Sequence, residues 1–471
     1  MKSLLSNNTI PAVAILVFVA VLSVSILQMS LLPFAVIIAI IIAAAIVLFA
    51  FQKPWIMTFF IAAGSYLGSS FYFAEGSPLP VSLFQFFLFA ALGLYLLHVL
   101  YFSTVHIRYT GYELPVLLFV ALIFLSLIYS PDRESGLINA LRFVVLLIFS
   151  GYVINTVRSV KVVSGILMTL VFLSILFSGF AALETIFNPQ IAIQNLTAAG
   201  MKVERASVGS LYNDPNRFAA ILFLPAAFTF SVVNSDLGYK YKAISAVCFL
   251  IILAGLFSTF SRSGFLSFVI ITLIIVTLFK NWKNATIVGF LLLLIVLAVP
   301  QLRNVLFLNI ERVLSVLTGA GDDSSGIRVM LGMAGVQMFI DSFFLGVGFD
   351  GFSEYFTNYY TLQESIGVYE PHNITYTIMA ELGLIGLFFY LFYLYVIFFH
   401  AWRNVKLASA QLEKVVATAL LSAFTAYTLF YQFYGGGLLD SNLMLIQALI
   451  FVVYFRLSDE TQKTGNNAAL T

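Results

Sequence analysis

LLPFAVIIAIIIAAAIVLFAF, residues 31–51, carries no charged side chain, and its single helix breaker, Pro33, lies near its start. A bilayer core of about 30 Å is crossed by about 20 apolar residues in a helix. The stretch is apolar on every side, as a helix facing lipid or other spans must be. Similar runs recur at Ile10–Leu27, Trp55–Phe73, Val81–Phe102, Leu114–Tyr129, Leu137–Ile154 and Val162–Leu183. They continue at Phe218–Val233, Ala243–Phe260, Phe265–Phe279, Ala285–Val299, Ile374–Phe399, Val415–Phe433 and Leu438–Phe455. The pattern predicts an all-α polytopic integral membrane protein with about 14 transmembrane helices (12–14), arranged as one membrane domain over 1–471. The first run follows Lys2 and has the look of a signal peptide. No small-residue cleavage site follows it and another span begins at once, so it reads as retained.

Composition agrees. The 471 residues are 61% hydrophobic and 9% charged, against about 25% charged in soluble proteins. That excludes a soluble globular enzyme. A net charge of +2 leaves no basic excess for a nucleic-acid surface. One cysteine, Cys248, allows neither an intrachain disulfide nor a cysteine-based zinc site.

Lys and Arg concentrate in cytoplasmic loops. With both termini in the cytoplasm, 14 of the 23 basic residues fall inside and every inner loop has one. Two outer segments are long, Glu184–Arg217 (184–217) and Gln301–Asn373 (301–373), and the second is the longest loop in the chain. Long loops in compact domains usually carry function. Within it, RVMLGMAGVQMFIDSFF (328–344) predicts a helix at the outer membrane interface, before the twelfth span. The polar tail, 456–471, reads as cytoplasmic and disordered.

The outer basic residues are Arg133, Arg142, Lys202, Arg205, Arg217, Arg262, Arg303, Arg312 and Arg328. All but one are arginine, whose planar fork suits phosphate and carboxylate oxygens. Arg262 lies in FSTFSRSGF (257–265), between two spans with almost no loop. Charge near lipid costs at least about 2.5–3.5 kcal/mol on insertion scales, so an anionic partner is expected there. A snorkelling arginine beside Ser261 and Ser263 is the plainer alternative. Arg217 follows Asn213, Asp214, Pro215 and Asn216, which are turn and cap formers, so a helix cap competes with a functional role. Arg328, taken alone, reads as a solvated loop residue.

Of four histidines, only His372 falls on the outer side. Asn373 is a plausible N-cap, and a helix N-terminus disfavours imidazolium. A neutral imidazole can serve as a general base. A structural histidine bonded to backbone is the competing reading. Asp322 and Asp323 sit in a Gly/Ser loop and read as solvated, so no metal and no cofactor is expected. The aromatic group Phe352, Tyr355, Phe356, Tyr359 and Tyr360 suits loop anchoring better than sugar stacking.

Four segments in order resemble the O-antigen ligase and polymerase superfamily of bacterial membrane glycosyltransferases. They are NDPNRFA (213–219), TFSRSG (259–264), the stretch from Arg328 through FFLGVGFDGF (343–352), and PHN with AELGLIG (371–373, 380–386). The resemblance covers about 205–390. It implies a glycan donor on undecaprenyl diphosphate and a glycan or lipid-core acceptor, met at the periplasmic face of the inner membrane. It implies metal-independent, inverting transfer. By position it implies that Arg262 and Arg328 bind the donor diphosphate and that His372 is the catalytic base, with Arg217 a further donor contact. Ligase and repeat-unit polymerase both remain open, the latter with a chain-length regulator as possible partner. A lipid-linked glycan or solute transporter is the alternative from another class, and an envelope scaffold a third.

Overall fold

The computed structural model describes residues 31–67, 72–73, 81–103, 107–111, 113–187, 214–259, 261–284, 286–287, 289–290, 323–359 and 371–468. In chain order the elements are α1 (Leu31–Gln52), α2 (Ile56–Leu67), β1 (Tyr72–Phe73), β2 (Val81–Ser82), α3 (Leu83–Phe102), α4 (Glu113–Ser126) and α5 (Arg133–Thr156). Then come α6 (Val160–Phe187), α7 (Pro215–Ile221), α8 (Phe223–Asn234), α9 (Tyr239–Ser258), α10 (Arg262–Phe279) and α11 (Asp323–Asp341). The last are α12 (Phe352–Phe356), α13 (Ile374–Leu407), α14 (Gln411–Phe430) and α15 (Ser441–Ala468). The two strands form a single antiparallel pair, with Tyr72 opposite Ser82. Contacts divide the chain into one unit within Met1–Phe60 and Phe86–His106 and another within Ile61–Gln85 and Ile107–Thr471.

Among the described residues nine helices are long and apolar enough to cross a membrane, or ten if the helices flanking Lys53–Pro54 count together. This is a multi-pass membrane protein. The expected run Ile10–Leu27 and most of Ala285–Val299 lie outside the described residues. The expected fifth span is shorter than the sequence suggests. α4 has 14 residues, about 21 Å at 1.5 Å per residue. The chain then turns, and Ser126 and Ser130 are both bonded to the backbone of Phe349.

In the second unit α14 is central. It packs against α8, α10, α13 and α15. The window Pro215–Asn234 is 83% buried, whereas that of Arg262–Phe279 is 33% buried. The outer helices turn large apolar side chains outward, such as Leu384, Phe388 and Tyr395 on α13. Such faces belong in lipid.

α13 is broken at Gly383 (φ 66°, ψ −158°). That conformation is open essentially to glycine alone. The loop 344–348 takes up the freed backbone groups. Val347 N donates to Ala380 O, Gly348 N to Glu381 O and Leu384 N to Phe344 O, each at 2.9 Å. The approach is backbone to backbone, and a Cβ on Gly346 would lie 2.4 Å from Glu381 O. The next residues are pinned on the other side. Asp350 accepts hydrogen bonds from Ser135 Oγ (2.6 Å) and Asn139 Nδ2 (2.8 Å) at the start of α5. Thus the GVGFDG stretch is a clamp between α13, α4 and α5.

α11 begins five residues before the predicted helix and ends at Asp341, where Phe343 and Phe344 adopt positive φ. Leu331, Ala334 and Met338 bury one face in a cluster with Val347, Phe352, Phe356 and Ala380. Phe352 and Phe356 are therefore core residues and not interfacial anchors. Val329, Met333, Val336 and Ile340 leave a second apolar face exposed. The tail expected to be disordered continues α15 as helix to Ala468. Its helix formers Glu460, Gln462 and Lys463 permit this.

Candidate active site

The site residues gather at one end of the second unit. Asp214 caps α7 in extended conformation, as the turn-forming sequence suggests. Its Oδ1 accepts from Asn216 N (2.8 Å) and Arg217 N (3.4 Å). Its Oδ2 accepts from the Tyr434 hydroxyl. Pro215 follows the cap, where a missing N–H costs nothing. Arg217, on the first turn, lies exposed. Asp214, Asp440, Tyr431 and Tyr434 surround it within electrostatic reach.

The second layer of this arrangement is the turn after α14. Tyr431 donates to Asp440 Oδ2. Asp440 Oδ1 in turn accepts from the backbone N–H groups of Asn442 (2.6 Å) and Leu443 (3.0 Å). Burial and the neighbouring carboxylate hold the Tyr431 phenol protonated, well above its usual range. It therefore stays a donor, and the Asp440 charge is fixed beside Arg217.

Arg262 opens α10. Ser261 is the N-cap, accepting from Gly264 N (3.1 Å), and its hydroxyl donates to Asn216 Oδ1 (2.7 Å). Asn216 adjoins Arg217 in sequence, so this bond ties the starts of α7 and α10. Gly264 permits the contact, because a Cβ there would stand 2.8 Å from the Cβ of Ala219. Arg262 is half-buried.

His372 precedes α13 in left-handed conformation (φ 50°). Its neighbours hold it there. Asn373 caps the helix through Tyr376 N (3.0 Å), and its amide donates to Gln432 O (3.0 Å). Ile374 N donates to Tyr431 O (2.9 Å). These bonds seat His372 beside the Tyr431–Asp440 turn. Its Nδ1 is buried, with no hydrogen-bond partner among the described residues. The pKa lies below the usual histidine value. Burial is the main cause, the positive charge of Arg328 adds to it, and Asp214 opposes it. Imidazole is thus the favoured form at neutral pH. His98 and His400 instead engage backbone carbonyls through Nδ1.

Arg328 lies exposed on α11. That helix packs on the start of α13, where a Cβ on Gly332 would meet the Tyr376 ring at 3.2 Å. The fold therefore brings Arg328 and Asp214 within electrostatic reach of His372, and Asp214 is the cap beside Arg217. Arg262 joins through Ser261 and Asn216. Glu381 is buried under the clamp and accepts from Phe352 N at 3.4 Å. Among the described residues no group of three or more His, Cys, Asp or Glu could hold a metal ion. Tyr431, Tyr434 and Asp440 were not singled out in the sequence. Their signal is two tyrosines three apart at a helix end, followed by GGG and an acid.

Residues 247–391 match the family model described as O-antigen ligase. That match, over less than a third of the chain, supports the resemblance to the O-antigen ligase and polymerase superfamily read from the sequence. The ligase-type segment contains Arg262, Arg328, His372 and the 344–351 loop and Gly383 break of the clamp, but not the clamp's partners on α4 and α5. Asp214, Arg217, Tyr431, Tyr434 and Asp440 lie outside it, at the start of α7 and in the turn after α14. No curated protein matches the chain.

Proposed function

We propose that the protein transfers a glycan from undecaprenyl diphosphate to an acceptor hydroxyl at the periplasmic face of the bacterial inner membrane, in the manner of an O-antigen ligase. The observation that carries this reading is His372, half-buried and held neutral beside Arg328, at the same end of the bundle as Arg217 and Arg262.

In this reading Arg262, Arg328 and Arg217 bind the donor diphosphate. A neutral imidazole nitrogen of His372 accepts the acceptor's proton as its oxygen attacks the anomeric carbon. The bond from that carbon to the diphosphate oxygen breaks, and undecaprenyl diphosphate leaves with the electron pair. Guanidinium groups stabilise the charge that develops on it. Attack opposite the leaving group inverts the anomeric centre. Asp214 and Asp440 hold the arginine at 217 and keep the site from excess positive charge. The exposed apolar face of α11 suits a helix lying at the interface, where a lipid-linked donor is presented.

A repeat-unit polymerase of the same superfamily would use the same groups with a growing glycan as acceptor. A transporter reading draws on the break at Gly383 beside buried Glu381, since transporters use discontinuous helices. Here the freed backbone groups are taken by the loop 344–348, so the break holds a fixed clamp. The test is a reconstituted reaction with lipid-diphosphate glycan, with and without lipid core, resolved by product size. A single shift of the core supports the ligase. A ladder without core means polymerase, and donor movement without product would overturn the enzyme reading.

A further inference from the structure

The opposite end of the second unit has a feature that the transfer reaction does not use. α5 runs from Arg133, beside the clamp, to Thr156, and its 24 residues separate the two ends by about 36 Å. At the far end Arg108 is pinned by its backbone, whose N–H donates to Asn155 Oδ1 (2.8 Å) on the last turn of α5. The Arg108 guanidinium lies 5.4 Å from the centroid of the Phe455 ring on α15. Its Nη1 is buried and has no hydrogen-bond partner among the described residues. One turn along α15 from Phe455, the Ser458 hydroxyl is likewise buried and unpartnered. Arg158, which follows the end of α5, is exposed and within electrostatic reach of Arg108, and Asp459 is the acid in reach.

Three features call for the same ligand. A buried guanidinium nitrogen without an acceptor is costly until one is supplied. Two neighbouring arginines repel unless an anion lies between them. Burial and Arg158 both act against the Arg108 charge, and Asp459 offsets this in part. Tetrahedral phosphate oxygens suit guanidinium forks and a hydroxyl donor together. Arg403, 5.3 Å from the ring of Tyr454 on α15, and Lys406 in the last turn of α13 add positive charge near this end, and anionic lipids concentrate at such basic ends where they face the cytoplasm.

We propose that Arg108, Arg158 and Ser458 form a phosphate-binding site at this end, taking the phosphate of an anionic phospholipid headgroup or free phosphate. It is separate from the donor site and independent of the glycosyl-transfer reading. A bound phosphate would tie the segment before α4 to the ends of α5 and α15.

The test uses the full chain in neutral detergent. Phosphatidylglycerol and phosphatidylcholine are titrated separately, with retained lipid counted by native mass spectrometry, and inorganic phosphate is added in a third arm read by thermal shift. Wild type should retain phosphatidylglycerol selectively, or be stabilised by inorganic phosphate, and the responding arm names the source. Arg108→Gln with Arg158→Gln should weaken that binding about ten-fold or more, the scale of a lost charge-assisted hydrogen bond. Lys240→Gln, at an exposed residue on the first turn of α9, should leave it unchanged. Should the double variant not fold, Asp459→Asn removes the competing acid and should tighten binding. The proposal is overturned if wild type prefers neither probe, if the double variant binds like wild type, if Lys240→Gln weakens binding equally, or if Asp459→Asn changes nothing.

Discussion

Gly383→Ala should destabilise the protein more than any other single-methyl change in α13. The glycine has φ 66° and ψ −158°, and an added Cβ would stand 2.2 Å from Phe344 O and 2.5 Å from the Leu345 carbonyl carbon. Both obstacles are backbone, so no side-chain rotation relieves them. The conformation itself costs about 1–3 kcal/mol for a residue with a Cβ. Displacing the loop also puts at risk the three 2.9 Å bonds at Ala380, Glu381 and Leu384, each worth about 0.5–1.5 kcal/mol net. The sum is a loss of about 2.5–7.5 kcal/mol on these principles. The assay is thermal and denaturant unfolding of the detergent-solubilised chain, followed by intrinsic fluorescence. Gly93→Ala is the comparison, since a Cβ there meets nothing within 4 Å. That change should be neutral or stabilising by up to about 1 kcal/mol, as for an ordinary helical glycine. A Gly383→Ala protein that unfolds like wild type would refute the clamp.

Other consequences are also measurable. Because the His372 pKa is lowered, transfer should fall only on the acid side, below the ordinary histidine range near 6.5. Arg328→Gln should move that acid limb to higher pH and Asp214→Asn should move it lower, since Arg328 depresses the pKa and Asp214 raises it; initial rates across pH 4–8 in roughly half-unit steps around that value would read this. Asp350→Ala removes the acceptor for Ser135 and Asn139 and should cost about 3–6 kcal/mol, the scale of two hydrogen bonds to a charged group; unfolding curves check it. Asp440→Asn weakens the fixed negative charge beside Arg217 and should lower donor affinity through arginine misplacement, while Tyr431→Phe should do the same more mildly; both are read by donor titration.

The parts legible in the sequence are those dictated by lipid or by near neighbours. Bilayer thickness imposes long apolar runs, so α5, α6, α9, α10 and α13 are apparent as composition. The caps Asp214 and Asn373 are legible because each bonds an amide two or three residues on. The break in α13 is not, because Gly383 sits in a run that reads as continuous. Its conformation is set by a partner loop some forty residues earlier. The clamp to α4 and α5 is hidden for the same reason, joining Phe349 and Asp350 to Ser126, Ser130, Ser135 and Asn139 across more than two hundred residues. At the site, arginine in unexpected outer positions and one outer histidine could be noticed singly. The links from Tyr434 to Asp214 and from Tyr431 to Asp440 depend on chain reversal after α14. No local spacing announces them.

The central claim is that one site binds the lipid diphosphate through arginines and activates the acceptor through His372. Its most direct test measures donor binding and single-turnover transfer side by side, in wild type and His372→Ala, with undecaprenyl-diphosphate glycan in reconstituted membranes. The account predicts transfer by wild type, and a variant whose donor affinity stays within about three-fold while turnover falls by about 10²-fold or more, the range of general-base catalysis. A variant that loses donor binding and turnover in equal measure, or that turns over like wild type, would contradict it.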